Sequence, residues 1–285
     1  MNKIYETLKS INVTSKETRK VLAENTRDKS GVLVWRDEQS KVIYIEDTHY
    51  NTHDYSAGGY RQGKTKSNYE SDKDLKRREK SYRQFYMGLD ICDVGCGSGG
   101  FLLNVKHNTL SASAVELQTQ YVELLNANDI KCFDNIQKHK MLFHTIFAFH
   151  SLEHFEDPLS MLKDMKGKLR KGGRVVIEVP HAKDFLISAL DFKPFIDFTL
   201  WSPHLVLHTR ESLNRLLIKA GFKSIMIEGI QRYPLSNHIQ WLLNSKPGGH
   251  MEGLSIIDSI ELNESYQNAM RKIDATDTLI AIGEL

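Results

Sequence analysis

The stretch that decides the fold is Ile91-Cys92-Asp93-Val94-Gly95-Cys96-Gly97-Ser98-Gly99-Gly100-Phe101-Leu102. Its apolar start predicts a buried strand, its glycines predict a turn, and its end begins a helix. Glycines at such a turn let the backbone approach a ligand closely, in conformations that a side chain forbids. A second carboxylate, Glu116, ends the next apolar run 23 residues after Asp93, where it can bind the ribose hydroxyls of an adenosine group. The segment therefore predicts a site for an adenosine-containing cofactor.

The glycine turn fits two kinds of cofactor. Gly95, Gly97 and Gly100 satisfy the dinucleotide pattern G-x-G-x-x-G, which is weak when it stands alone. A dinucleotide places its pyrophosphate over the helix N-terminus, where the carboxylate of Asp93 would repel it. S-adenosylmethionine has no phosphate, and a nearby carboxylate favours its ammonium and sulfonium groups. The residues therefore favour S-adenosylmethionine, with a tight turn that binds nothing as the alternative.

Composition excludes several classes of protein. The chain has 285 residues, of which 40% are hydrophobic and 26% charged, as in a globular domain with additions. A formal net charge of +2 gives no bulk electrostatic case for nucleic-acid binding. The three cysteines lack C-x-x-C spacing, and no apolar stretch suits a membrane span or a signal peptide. We therefore expect a cytoplasmic protein with reduced thiols, no nucleic-acid partner and no membrane span.

The chain is predicted to consist of an N-terminal extension, residues 1–67, and an α/β domain, residues 68–285. Two β-rich runs within residues 32–45 predict a hairpin. Residues 50–63 combine tyrosines and glycines with almost no aliphatic side chains, which suits a lid over a ligand or a solvated linker. Residues 68–86 predict a basic helix, which is either a solvated face or the source of an arginine for the cofactor carboxylate or an acceptor phosphate.

From residue 87 onward, strand-like and helix-like segments alternate, which predicts a parallel sheet with right-handed crossovers. The predicted strands lie near residues 88–93, 112–116, 130–134, 143–149, 173–179, 223–230 and 277–283. The predicted helices lie near residues 99–108, 118–128, 158–170 and 210–220. Asp157-Pro158 supplies a cap and a first-turn proline for the third of these helices, and Gly221 follows the last residue of the fourth.

Further motifs follow the glycine turn in order, namely Phe149-His150-Ser151-Leu152-Glu153-His154-Phe155, Leu169-Arg170-Lys171-Gly172-Gly173, Glu178-Val179-Pro180 and Ala220-Gly221-Phe222. Together they resemble class I S-adenosylmethionine-dependent methyltransferases, over about residues 75–285. The resemblance implies a seven-stranded, mostly parallel Rossmann-like sheet with helices on both faces and an antiparallel last strand. It implies adenine contacts near Asp134 and Asn135, and a methyl group beside Phe149 and His150. The residues assigned to the cofactor are Asp93, Gly95, Cys96, Gly97, Gly99, Glu116, Leu117, Asp134, Asn135, Phe149 and His150.

The last third of the chain contains Trp201-Ser202-Pro203-His204-Leu205, Gln231-Arg232-Tyr233-Pro234-Leu235 and Lys246-Pro247-Gly248-Gly249-His250. These stretches resemble a bacterial branch of the same family that is associated with surface-polysaccharide biosynthesis. The resemblance implies a sugar acceptor without naming the sugar. Relatives with an N-terminal zinc ribbon carry C-x-x-C there, and the hairpin at 32–45 has no cysteine, so we predict no such zinc.

An alcohol acceptor loses a proton during methyl transfer, and histidine is best matched to accept it at neutral pH. His181, after the fifth strand, is the first candidate for this base, followed by His204 and then His150. His150-x-x-Glu153-His154 could instead offer metal ligands. Three ligands within five residues of one loop are a weak signal, so we assign no metal.

Residues 231–250 are predicted to form the acceptor wall, because they supply the donors, cations and aromatic faces that hold sugars and phosphates. With two tyrosines of the predicted lid, the assigned acceptor contacts are Tyr55, Tyr60, Arg232, Tyr233, Asn237, His238, Trp241 and His250. Packing against the sheet is an equal alternative for Trp241. The predicted function is methylation of a sugar hydroxyl on a nucleotide-linked sugar or a glycan precursor. The alternatives are a non-sugar small acceptor and a cofactor-binding partner subunit without catalysis, and a homodimer is left open.

Overall fold

Two β-sheets organise residues 3–46 and 68–285, which are the residues that the computed structural model describes. The strands are β1 (Arg19–Asn25), β2 (Ser30–Asp37), β3 (Ile43–Ile45), β4 (Asp90–Val94), β5 (Ser111–Val115), β6 (Lys131–Phe133), β7 (Phe143–Phe149), β8 (Leu169–Pro180), β9 (Val206–Leu207), β10 (Lys223–Ile230) and β11 (Thr278–Glu284). The α-helices are α1 (Lys3–Ser10), α2 (Asn68–Ser81), α3 (Arg83–Tyr86), α4 (Gly100–Val105), α5 (Thr119–Ala127), α6 (Pro158–Gly167), α7 (Phe185–Ser188), α8 (Lys193–Thr199), α9 (Arg210–Ala220), α10 (Leu235–Asn244) and α11 (Ile260–Lys272). Short 3₁₀ turns lie at Lys106–Asn108, Ile136–Lys138, Leu152–His154 and Gly253–Ile257.

The larger sheet has seven strands in the order β10-β11-β8-β7-β4-β5-β6. Its pairs from β8 to β6 are parallel, whereas β11 runs antiparallel to both β8 and β10. Every residue of β4 is buried, as expected for a central strand whose two faces are both covered. The predicted α/β fold, including its antiparallel last strand, is confirmed.

Strand order reverses beside β4, because β5 and β6 lie on one side of it and β7 and β8 on the other. In open sheets of this kind, ligands bind outside the carboxyl ends of the strands at the point of reversal. That edge carries the glycine turn after β4, Glu116 after β5 and His150 after β7.

Local capping sets the ends of helices as the sequence predicts. The side chain of Asp157 accepts a hydrogen bond from the Ser160 N–H at the start of α6. A capping box of Thr209 and Ser212 begins α9, and Gly221 ends it with a φ of 92°. A positive φ of this kind is readily adopted by glycine alone, which explains why the helix ends there.

The smaller sheet has the order β1-β2-β3-β9. Its β2–β3 pair is the predicted hairpin, which is confirmed. The sequence did not predict β1, whose residues lie on an edge and are half-buried or exposed, and so lack a clear alternation. It did not predict β9 either, because a two-residue strand carries no periodicity, although β9 fastens residues 206–207 onto β3.

One apolar core crosses the proposed boundary between residues 1–67 and 68–285. Ile4 and Leu8 of α1 belong to the same buried cluster as Ile146 of β7. The N-terminal extension therefore shares one apolar core with the α/β domain. Within the described ranges, no helix combines the length and the apolar composition that crossing a membrane requires.

The connection between β10 and β11 contains the predicted acceptor wall, residues 231–250, and also the helix α11. Ser259 caps α11 by accepting a hydrogen bond from the Leu262 N–H at 3.1 Å. Trp241 of α10 is 2% exposed, and its ring lies 5.2 Å from that of Phe195. Trp241 is therefore a buried packing residue in this structure and does not line the acceptor pocket.

Candidate active site at the carboxyl edge of the larger sheet

The glycine turn after β4 has the backbone that the sequence predicts. Gly95, Gly97 and Gly99 all have positive φ values, of 72°, 58° and 72°. A β-carbon at Gly95 would lie 2.5 Å from Cβ of Ser151, so only glycine fits beside the loop that follows β7. A β-carbon at Gly97 would meet none of the described atoms within 4 Å. The turn is therefore packed from behind at Gly95 and open at Gly97, which leaves room for a ligand.

Asp93 is a buried carboxyl group without a counter-charge of its own. Only 3% of the residue is exposed, and within the described part of the chain its Oδ1 has no hydrogen-bond partner. The pKa of Asp93 is raised to about 7, chiefly by burial; the Arg78 charge lowers it, and the charges of Glu116 and Glu178 raise it. A cation beside Oδ1 would relieve this penalty. The site therefore fits the ammonium group of S-adenosylmethionine.

Glu116 faces the glycine turn from the end of β5. Its Oε2 accepts a hydrogen bond from the Gly97 N–H at 2.8 Å. Its Oε1 accepts from the backbone N–H groups of Leu117 and Gln118, at 2.8 and 2.9 Å. These bonds fix the carboxylate at the tip of the second parallel strand, the position from which it can take ribose hydroxyls.

The other predicted cofactor residues surround this turn. Leu117 is 40% exposed, and Asp134 forms an ion pair with Lys138 on an exposed turn. Asn135 caps the next 3₁₀ turn by accepting from the Gln137 N–H at 2.8 Å. These residues follow β5 and β6, so they extend the edge away from the predicted methyl position.

Cys96 lies within the turn, and Phe149 ends β7. The Cys96 thiol donates to the Gly97 carbonyl oxygen at 3.6 Å, and its pKa is raised well above the ordinary value by interaction with Cys132 and by burial. Phe149, at the end of β7, stacks on Tyr82 with ring centroids 5.4 Å apart. The guanidinium of Arg78 lies 4.4 Å from the Phe149 ring centroid, so α2 extends over this part of the edge.

Helix α2 is fastened to the sheet by a buried ion cluster around Glu178 of β8. Arg77 binds this carboxylate with both terminal nitrogens, at 2.8 and 3.0 Å. Arg78 donates from Nε at 2.9 Å, and the Tyr82 hydroxyl donates at 2.6 Å. Burial alone would raise the pKa of Glu178, but Arg78 and Arg77 hold it well below the usual range. Arg77 and Arg78 are therefore structural ion-pair partners, whereas Lys73, Lys76 and Lys80 of the same helix are exposed.

A second ion pair joins α2 to the loop after β10. Arg232 donates from Nε to Oδ2 of Asp74 at 2.9 Å, and its Nη1 lies 3.1 Å from Nε2 of His150. His150 has a φ of 50°, and its Nδ1 lies 3.5 Å from Oε1 of Glu153. Burial and the Arg232 charge lower the pKa of His150 well below its ordinary value. His150 is therefore a neutral imidazole at the end of β7.

Comparison with known proteins identifies the family of this chain. The sequence model of the family described as "Methyltransferase domain" matches residues 60–226, which is more than half of the chain. The chain belongs to this methyltransferase family. The predictions of an enzyme, of class I membership and of S-adenosylmethionine as cofactor are thereby confirmed.

Solved structures show the same fold at low identity. A SAM-dependent methyltransferase of Thermotoga maritima superposes with a TM-score of 0.53 and 14% identity, over 82% of this chain and 97% of that one. A second, from Archaeoglobus fulgidus, gives a TM-score of 0.51 and 16% identity, over 77% and 100%. These likenesses support the fold and carry no information on the acceptor.

Curated relatives match a shorter region. A protein of Nautilia profundicola named tRNA U34 carboxymethyltransferase is 32% identical over 100 residues, which is 31% of this chain and 33% of that protein. Proteins of the same name from Campylobacter jejuni are 25% identical over 105 residues. This methyltransferase thus matches about a third of the length of those relatives.

A pocket of about 180 Å³ lies beside the second ion pair. Its lining includes three of the predicted acceptor residues, together with residues of α2 and α11 that the sequence did not suggest. The lining residues are Lys73, Asp74, Arg77, Gln231, Arg232, Tyr233, Pro234, His250, Asn263 and Tyr266. The structure therefore brings Arg232, Tyr233 and His250 together in a pocket lined by charged, amide and aromatic residues, next to His150.

Asn237 and His238 lie behind the residues that line the pocket. Asn237 accepts a hydrogen bond from the Gly248 N–H at 2.9 Å, and His238 is hydrogen-bonded to the Tyr266 hydroxyl. Both are 3% exposed, so they support the pocket wall without lining it. Tyr55, Tyr60 and the predicted lid lie outside the described residues.

None of the three candidate bases lines the pocket. His181 is 1% exposed, its Nδ1 lies 2.9 Å from the Thr276 carbonyl oxygen, and burial lowers its pKa to about 4. The ring of His204 lies 5.0 Å from that of Trp201. His150 contacts a lining residue, because its Nε2 lies 3.1 Å from Nη1 of Arg232.

Two signals in the sequence could have revealed the missed residues. Glu178 is a carboxylate within the apolar strand Val175–Val179, and such a residue requires a buried cation. Asp74, Arg77 and Arg78 are spaced to share one helix face, which is a pattern for anchoring as well as for solvation.

Proposed function

We propose that this methyltransferase acts on a hydroxyl group of a sugar that is linked to a nucleotide or belongs to a surface-glycan precursor, inside the cytoplasm. The observation that supports this acceptor is the pocket at the end of β10, with Tyr233 and Tyr266 beside Lys73 and Arg77. Aromatic faces with amide and hydroxyl groups suit a sugar ring, and Arg and Lys suit a phosphate.

The chain's own residues have two tasks in this reaction. S-adenosylmethionine, when bound, supplies an activated methyl group, so that orientation of the acceptor contributes much of the rate enhancement. The pocket residues would orient the hydroxyl, and His150 would accept its proton at Nε2. His150 suits this task because its lowered pKa keeps the imidazole unprotonated. Arg232 would give up its contact with Nε2 when the acceptor hydroxyl arrives.

An acceptor panel tests the substrate class. Purified protein and S-adenosylmethionine would be incubated with nucleotide sugars, free sugars, quinone precursors and tRNA, and formation of S-adenosylhomocysteine would be measured. We expect turnover with a nucleotide sugar or a glycan precursor. Turnover with tRNA or a quinone precursor alone would contradict the proposal and leave the methyltransferase assignment intact.

His150→Ala tests the proton acceptor on whichever acceptor is active. We expect turnover to fall about 100-fold or more, the usual contribution of a general base, with cofactor affinity retained. His107→Ala, on an exposed 3₁₀ turn, is the matched control and should keep full activity. Because the His150 pKa is lowered, wild-type activity should persist below pH 6.5 and decline only in more acidic buffer. Full activity in His150→Ala would remove this residue from the mechanism.

A further inference from the structure

Three potential metal-ligating side chains lie together on the far side of His150 from the pocket residue Arg232. Glu153 and His154 belong to the 3₁₀ turn after β7, and His204 belongs to the loop before β9. The Leu205 N–H donates to the Glu153 carbonyl oxygen at 2.8 Å, which holds the two loops side by side. The sequence suggested only Glu153 and His154 as metal ligands, because His204 lies 50 residues from His154.

The distances suit a shared ion. One ligand atom from each residue lies within 4.8 Å of the other two. The rings of His154 and His204 have centroids 5.0 Å apart and are inclined by 61°. Ligands around a tetrahedral zinc ion lie about 3.4 Å apart, so small side-chain rotations would complete the site.

The surroundings of His154 match those of a metal ligand. Its Nδ1 lies 2.8 Å from the Pro203 carbonyl oxygen, so Nδ1 carries the proton and donates it. A ligating histidine usually donates its other ring N–H to a carbonyl or carboxylate oxygen in this way. Trp201 packs its ring 5.0 Å from His204 and 6.2 Å from His154, and so holds both rings in place.

Charge also favours a cation at this position. The Glu153 side chain is 0% exposed, and a buried carboxylate is stabilised by a nearby positive charge. A dication among one carboxylate and two imidazoles would leave this group with a net positive charge.

We propose that Glu153, His154 and His204 bind a divalent transition metal, with Zn²⁺ as the ion that two imidazoles and one carboxylate favour. The ion fastens the loop that carries His150 to the loop that leads into β9. It thereby ties the smaller sheet to the carboxyl edge of the larger one. This role is independent of the acceptor, so it stands or falls separately from the sugar proposal.

Metal content tests the site directly. Tag-free protein, grown with zinc and passed through a desalting column, would be measured by mass spectrometry for metal per chain. We expect about one zinc per chain in the wild type and in His107→Ala, and a loss to roughly a tenth of that in Glu153→Gln and His204→Ala. Equal zinc in all four proteins would assign the ion elsewhere and overturn the proposal.

A second measurement covers variants that fail to fold. Wild-type protein stripped with a chelator would be titrated with Co²⁺, then with Zn²⁺, while visible absorption and melting temperature are followed. We expect saturable cobalt bands of tetrahedral intensity, their displacement by zinc, and a higher melting temperature with either ion. If neither ion changes the spectrum or the melting temperature of the wild-type protein, the proposal is wrong, whatever the variants show.

Discussion

The two sides of the active-site edge are built in different ways. The cofactor side comes from one strand–turn–helix segment and a carboxylate 23 residues later, and its contacts are largely to backbone N–H groups. The acceptor side joins α2 to β8 and to the loop after β10, through ion pairs between residues about 100 and 158 positions apart. The first side depends on local backbone geometry, and the second depends on buried charge.

Replacing Glu178, the carboxylate at the centre of the ion cluster, should have the largest effect, because it destabilises the acceptor side. Glu178→Ala leaves Arg77 and Arg78 without their shared partner, so we expect a loss of about 3–5 kcal/mol in the free energy of unfolding. The control is Glu284→Ala, whose ion pair with Arg174 is half-exposed, with an expected loss below about 1 kcal/mol. Urea denaturation measures both. Similar losses in the two variants would contradict the view that buried charge holds this side together.

Asp93 tests the cofactor side, with an intermediate effect. Asp93→Asn should weaken S-adenosylmethionine binding at pH 8 by about 1.5–3 kcal/mol, because a charge-assisted contact is lost. Asp129→Asn, on an exposed loop, is the control and should bind normally. Calorimetry gives both affinities. An unchanged affinity in Asp93→Asn would mean that the buried carboxyl group does not meet the ammonium.

The raised pKa of Asp93 adds a pH dependence to the same comparison. Below pH 7 a proton must leave Asp93 before the carboxylate can bind a cation, so the dissociation constant should rise up to about tenfold per pH unit as pH falls. The folded state also holds a proton that the unfolded chain releases near pH 4, so Asp93 lowers stability as pH rises from about 4 to 7. Asp93→Asn should abolish both trends.

The difference between the two sides explains what the sequence could predict. The glycine turn, Glu116 and the seven strands follow from local patterns, and the structure places them as expected. The Glu178 cluster could not be assigned, because no spacing rule links α2 to β8 across 100 positions. His181 and Trp241 were assigned from composition and position alone. Burial, which depends on the finished tertiary structure, places them away from the pocket lining.

The smallest effect should come from an exposed cation of the acceptor pocket. Lys73→Ala should raise the KM of an anionic acceptor about fivefold, with kcat retained, since it removes one partly screened charge. Lys80→Ala, exposed on the same helix but outside the pocket lining, should leave KM unchanged. Steady-state kinetics on the active acceptor separates the two. A lower kcat in Lys73→Ala would place the residue closer to the reacting atoms than the pocket suggests.

The pairing of β3 with β9 sets an order of events during synthesis. Ile43 pairs with Leu207, and 207 minus 43 is 164 positions, so the ribosome must add that much chain before β3 finds its outer partner. At roughly 5–20 residues per second, the delay is about 8–33 s. During that interval β3 is an uncovered edge open to mispairing, and its length of three residues keeps the hazard small. The first three strands of the smaller sheet are therefore synthesised first. Its fourth strand, β9, can pair with β3 only after the loop that carries His204 has left the ribosome.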